Sequence, residues 1–206
     1  MRIFRELSLA DIFTILNAIS GFFGICYLIL NGFSYFVFKF VFFSALMDGI
    51  DGFIANRISR SDMGRDLDSL ADLISFGALP ALILIRLDLT LFGILFFLTS
   101  ILRLARFNVL KREDFLGLPT TASALFLSCL IILNVPFIQL FVLALSILMI
   151  SDIEYKKVRN RKILSVVGIV IILSFFHNFA VIALMILLIL YLISPIACFL
   201  KLKINI

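Results

Sequence analysis

The chain has 206 residues, of which 63% are hydrophobic and 15% charged, with a formal net charge of +5. A mean hydropathy of +1.21 excludes a soluble globular domain, and no nucleic-acid partner is expected. The composition predicts an all-α, polytopic integral membrane bundle forming a single membrane domain over residues 1–206.

In chain order, apolar segments predict helices over residues 9–30, 34–58, 64–85, 90–110, 118–133, 136–150, 163–176 and 179–200. Asn31-Gly32, Arg86 to Leu89, Asn134-Val135-Pro136 and His177-Asn178 between them suit tight turns at a membrane surface. Eight spans with both termini cytoplasmic put every Lys and Arg except Lys39 and Arg86 on the cytoplasmic side. Fusing the two segments around Pro136 would carry the cluster from Lys156 to Lys162 to the other face. The first apolar run is long, carries Asp11, Thr14 and Asn17 and lacks a small-residue cleavage site, so it is expected to be a true span. Cys26, Cys129 and Cys198 sit in apolar stretches without ligand or disulfide spacing and are expected to be interior filler.

The first helix carries a polar stripe of Asp11, Thr14, Asn17 and Gly21, suited to a ligand or to bonds between helices. In the second and third, Asp48 and Asp51 are three apart and Asp68 and Asp72 four apart, so each pair shares a helical face. The two helices are antiparallel, and at about 1.5 Å per residue both pairs lie at a similar depth below their connection. Carboxylates at membrane depth are costly without cationic compensation. Four together predict a site for two divalent cations, Mg²⁺ or Mn²⁺, with Ca²⁺ also compatible with hard oxygen ligands. Gly52 and Gly64 flank the acids, where the missing side chain admits a bulky ligand or a neighbouring helix. Asp62 and Asp66 are expected to be solvated partners of Arg60 and Arg65.

Asp48, two residues, Asp51-Gly52, two residues, Ala55, then Gly64, three residues, Asp68, three residues and Asp72 together resemble the signature of the CDP-alcohol phosphatidyltransferases. Asn56 stands where that family has arginine, and the following spacer is one residue shorter, so Arg57 or Arg60 is expected to supply the cation. The run from Asp68 to Gly77, with Arg103-Leu104-Ala105-Arg106-Phe107-Asn108 and Gly117-Leu118-Pro119-Thr120-Thr121-Ala122, is similar to the phosphatidylserine synthase branch and its archaeal ether-lipid counterpart. The resemblance implies a catalytic core over about residues 9–123, followed by additional spans over 124–206.

The resemblance implies an enzyme of phospholipid biosynthesis. It would move the phosphatidyl or archaetidyl group of CDP-diacylglycerol or CDP-archaeol to the hydroxyl of L-serine and release CMP. It assigns Asp48, Asp51, Asp68 and Asp72 to the metals and Asp72 also to the role of general base. Thr14, Asn17, Gly52, Ala55, Arg57, Arg60 and Gly64 would bind the CDP-lipid. Arg103, Arg106 and Asn108 are candidates for serine or phosphate recognition, since arginine suits bidentate contact with a carboxylate. A homodimer surrounded by membrane lipid, with its active site on the cytoplasmic side of the cell membrane, is implied as well. Glycerol phosphate or inositol phosphate acceptors are the near alternatives. A cation-coupled transporter is the distant one, disfavoured because no second copy of the aspartate pattern exists.

Overall fold

The computed structural model describes residues 7–55, 63–110, 115–158 and 160–204. Among these the chain is mostly helical. Helix α1, Leu9–Asn31, starts at a capping box in which Ser8 and Asp11 satisfy each other's backbone N–H groups, and it stops at Gly32. One 3-10 turn, Tyr35–Val37, leads into α2, Phe38–Ala55. Helix α3, Gly64–Arg86, contains a π-helical stretch, Leu73–Ala78, between two α-helical parts. The wider turn precedes Pro80, which has no N–H for the carbonyl of Phe76. Then come α4, Thr90–Leu110, α5, Thr120–Ile132, α6, Ile138–Ile150, α7, Arg161–Ser174, and α8, Asn178–Ile204.

These eight helical rods fall where the apolar segments predict them, with ends shifted by a few residues. The expected turns fit as well: Gly32 and Asn134 both have positive φ, at 74° and 51°. Among the described residues, four helices are long and apolar enough to cross a membrane, Leu9–Asn31, Gly64–Arg86, Thr90–Leu110 and Asn178–Pro195. Helix α2 carries Lys39, Asp48 and Asp51 within its 18 residues. Helices α5 and α6 have 13 residues each, below the roughly twenty that cross a hydrocarbon core unaided.

The all-α expectation needs one small correction. Two strands, β1, Phe115–Leu116, and β2, Glu154–Tyr155, pair antiparallel with Phe115 opposite Tyr155 and Leu116 opposite Glu154. Two-residue strands carry no alternation pattern, so periodicity is blind to them. The ribbon ties the α4–α5 connection to the α6–α7 connection.

Helix α5 is central: ten of its thirteen residues are buried, and it packs against α2, α3, α4, α6 and α8. The outer faces of the other helices expose large apolar side chains such as Phe22, Leu91, Phe179 and Leu190, as a lipid-facing surface requires. Because lipid is as apolar as leucine, helix association here depends on close packing. The contact of α1 with α3 shows it: a Cβ on Gly21 would lie 2.7 Å from Ser75 Cα.

A three-carboxylate candidate metal centre

Three of the four aspartates converge. Asp48 from α2 and Asp68 and Asp72 from α3 each bring one carboxylate oxygen within 4.8 Å of the others. Oxygen ligands of Mg²⁺ or Ca²⁺ sit at about 2.0–2.6 Å from the ion, so donors to one ion lie no more than about 5 Å apart. The three carboxylates therefore fit a hard divalent cation, by both their spacing and their chemistry.

Asp51 stands outside this group. It is fully buried and accepts at Oδ2 from the Thr14 hydroxyl of α1 at 2.7 Å. At about 100° per residue a spacing of three leaves Asp48 and Asp51 about 60° apart on α2, against about 40° for Asp68 and Asp72 on α3. The first pair thus diverges, Asp48 toward α3 and Asp51 toward α1.

The polar stripe on α1 becomes a set of donors to the acids. Besides Thr14, Asn17 donates from Nδ2 to Asp72 Oδ1 at 3.2 Å. The backbone carbonyl of Asn17 accepts from Ser44 of α2 at 3.1 Å and from Ser75 of α3 at 2.9 Å. One residue therefore ties all three acid-bearing or acid-facing helices together. Asp11 is used elsewhere, in the capping box.

Polar groups on α4 and α5 close the other side. Thr121 donates to Asp48 Oδ2 at 3.2 Å. Arg103 is buried to 5% exposure and donates from Nη1 to Thr120 Oγ1 at 3.3 Å. Its guanidinium interacts electrostatically with Asp72, Tyr191, Asp48 and Asp68. Asn108 accepts at Oδ1 from Ser69, the neighbour of Asp68, at 2.9 Å.

Arg106 has a different occupation from the one the motif suggests. Its Nη2 donates to the carbonyls of Leu116 at 2.9 Å, Met149 at 3.4 Å and Ser151 at 2.7 Å, and its Nη1 reaches the carbonyl of Ile150 and Asp152 Oδ1, both at 3.2 Å. It caps the C-terminus of α6, whose last carbonyls have no helical partner. Gly117 permits this approach: its φ is +77°, and a Cβ there would lie 2.7 Å from Arg106 Nη2.

Gly52 follows Asp51, and a Cβ there would meet nothing within 4 Å among the described residues. Ala55 ends α2 and buried Gly64 begins α3. Arg57 and Arg60 lie outside the described residues. Sequence reasoning missed Thr120, Thr121 and Ser69 as partners of the site. The available signal was Pro119-Thr120-Thr121, two adjacent hydroxyls opening an otherwise apolar helix.

A family model described as CDP-alcohol phosphatidyltransferase matches residues 7–153. The chain is similar to a CDP-diacylglycerol–serine O-phosphatidyltransferase of Methanocaldococcus jannaschii, 37% identical over 164 residues, which cover 76% of this chain and 78% of the relative. It is similar also to an archaetidylserine synthase of Methanothermobacter thermautotrophicus, 36% identical over 169 residues, 74% of this chain and 71% of the relative. A CDP-diacylglycerol–serine O-phosphatidyltransferase of Bacillus subtilis is 35% identical over 130 residues, 56% of this chain and 72% of the relative.

Proposed function

The chain belongs to the CDP-alcohol phosphatidyltransferase family, and from that premise we propose that it transfers a phosphatidyl or archaetidyl group from a CDP-linked lipid to the hydroxyl of L-serine, releasing CMP. The observation that carries this reading is the convergence of Asp48, Asp68 and Asp72 within 4.8 Å. In the reaction the serine oxygen forms a bond to the phosphorus nearer the lipid. The bond from that phosphorus to the bridging oxygen breaks, and CMP leaves with the bridging oxygen.

Asp72 takes the serine proton. Its Oδ1 is held by Asn17, which fixes the carboxylate plane and leaves Oδ2 to act as base. Asp48, Asp68 and Asp72 hold the metal, and Asp51, anchored by Thr14, completes the acidic wall on the side of α1. When bound, divalent cations, Mg²⁺ or Mn²⁺ with Ca²⁺ as a further candidate, neutralise the diphosphate and the charge that develops on CMP. The space before Gly52, where an added Cβ meets nothing within 4 Å among the described residues, receives the nucleotide, with Ala55, Gly64, Arg57 and Arg60 around it.

Serine recognition falls to Arg103 and Asn108 rather than to Arg106, whose donors are held by carbonyls and Asp152. All eight helices span or enter the bilayer as a homodimer with cytoplasmic termini, and the acids open to the cytoplasm. The bias of Lys and Arg between segments supports that orientation.

The decisive experiment supplies the purified chain with Mn²⁺, L-serine and either CDP-diacylglycerol or CDP-archaeol. CMP and a serine lipid should form together, and serine should outpace glycerol 3-phosphate and inositol phosphate. Release of CMP only with a phosphorylated acceptor would move the chain to another branch, and no release with any acceptor would end the reading.

A further inference from the structure

A second constellation lies beside the acids and draws on α8, beyond the stretch that the family model matches. Its centre is Arg103. The guanidinium is within 5.4 Å of both the Phe107 and the Phe115 ring centroids, and Nη1 is bonded to Thr120. Held on these sides, Arg103 is an immobilised fork whose buried Nε has no hydrogen-bond partner among the described residues. A buried guanidinium with a spare donor is a receptor for a planar anion, and a carboxylate is the best match to its geometry.

The ribbon extends this receptor toward α8. Phe115 and Tyr155 are direct partners in the antiparallel ladder, so their side chains leave the ribbon on the same face. Phe115 lies against Arg103, while the Tyr155 ring lies 5.6 Å from that of Tyr191 in α8. The rung thereby sets the spacing between Arg103 on α4 and Tyr191 on α8, and the Tyr191 phenol is within electrostatic reach of the guanidinium.

We propose that Arg103 and Tyr191 form the two jaws of the subsite that takes the carboxylate of the amino-acid acceptor, with Phe115 and Tyr155 as the platform that spaces them. The inference rests on the serine-transfer reading and deepens it. Arg103 is the buried cation among the described residues, and besides Tyr191 its electrostatic partners are Asp72, Asp48 and Asp68. A serine whose carboxylate sits between Arg103 and Tyr191 therefore presents its far end, the hydroxyl, to Asp72. A dianionic phosphate would ask for a second buried cation. The specificity of this branch thus draws on a helix that supplies none of the acids.

Tyr191→Phe tests it, because the variant keeps the ring against Tyr155 and removes only the hydroxyl. With saturating CDP-lipid, the KM for L-serine should rise roughly ten- to a hundredfold, the loss typical of one hydrogen bond to a charged group. The KM for CDP-lipid should stay unchanged, and kcat should move far less than the serine KM. Serinol, which replaces the carboxylate by a hydroxymethyl group, should be used equally poorly by both proteins. An unchanged serine KM in an active Tyr191→Phe, or the same loss with serinol as with serine, overturns the subsite alone. A wild-type chain inert toward serine overturns the transfer reading and the subsite with it.

Discussion

Asn17 holds Asp72 from the side: its Nδ2 donates to Asp72 Oδ1 at 3.2 Å, while its own carbonyl is fixed by Ser44 and Ser75. The carboxylate proposed as base is thus oriented by a group that is itself bolted to three helices. Asn17→Ala removes the orienting bond and leaves the carbonyl bonds in place. A hydrogen bond to a charged group contributes about 1.5–3 kcal/mol, so kcat should fall roughly ten- to a hundredfold at saturating substrates. CMP release measures it, and an unchanged kcat would remove Asn17 from the positioning of the base.

The separation of Asp51 from the other acids predicts unequal metal effects. Asp48→Asn and Asp68→Asn take a charged ligand from the three-carboxylate group and should raise the Mn²⁺ concentration for half-maximal activity at least tenfold, with chelation abolishing what remains. Asp51→Asn keeps an oxygen for Thr14 and should shift that concentration less. Asp72→Asn should abolish turnover while CDP-lipid still binds, measured with radiolabelled lipid; intact turnover would exclude Asp72 as the base.

Much of this arrangement was legible from residue order. Apolar runs bounded by Asn, Gly and Pro located the helices because a bilayer demands internally satisfied backbone. Spacings of three and four placed each aspartate pair on a face. The split of Asp51 from Asp48 was not legible, because it depends on Thr14 of another helix. Nor were the roles of Thr120 and Thr121: a hydroxyl in an apolar helix ordinarily bonds its own preceding turn, as Ser123 and Ser128 do with Pro119 and Ala124. The division of labour between Arg103 and Arg106 was not legible for a related reason. The two share a motif, yet a spacing of three left open which guanidinium faces the acids and which the end of α6.

Arg106→Ala should therefore act on stability. It strips Leu116, Met149 and Ser151 carbonyls of a charged donor, and leaving such groups unsatisfied costs about 1–3 kcal/mol each when buried. Since this side chain is 25% exposed, water recovers part of that. A thermal midpoint lower by several degrees in detergent is expected, with the serine KM of the folded fraction little changed. A selective rise in serine KM at unchanged stability would return Arg106 to the acceptor site.

Gly21 and Gly52 separate a packing role from a ligand role. At Gly21 a side chain would push against Ser75 Cα, 2.7 Å from the added Cβ, prising α1 from α3 and pulling Asn17 off Asp72. Gly21→Val should therefore lose stability by about 1–3 kcal/mol and lose activity with every acceptor. At Gly52 an added Cβ meets nothing among the described residues, so Gly52→Val should fold with a normal thermal midpoint. If the nucleotide occupies that space, the same variant should raise the KM for CDP-lipid at least severalfold while leaving serine KM alone. Normal CDP-lipid affinity in Gly52→Val would place the nucleotide elsewhere along the acids.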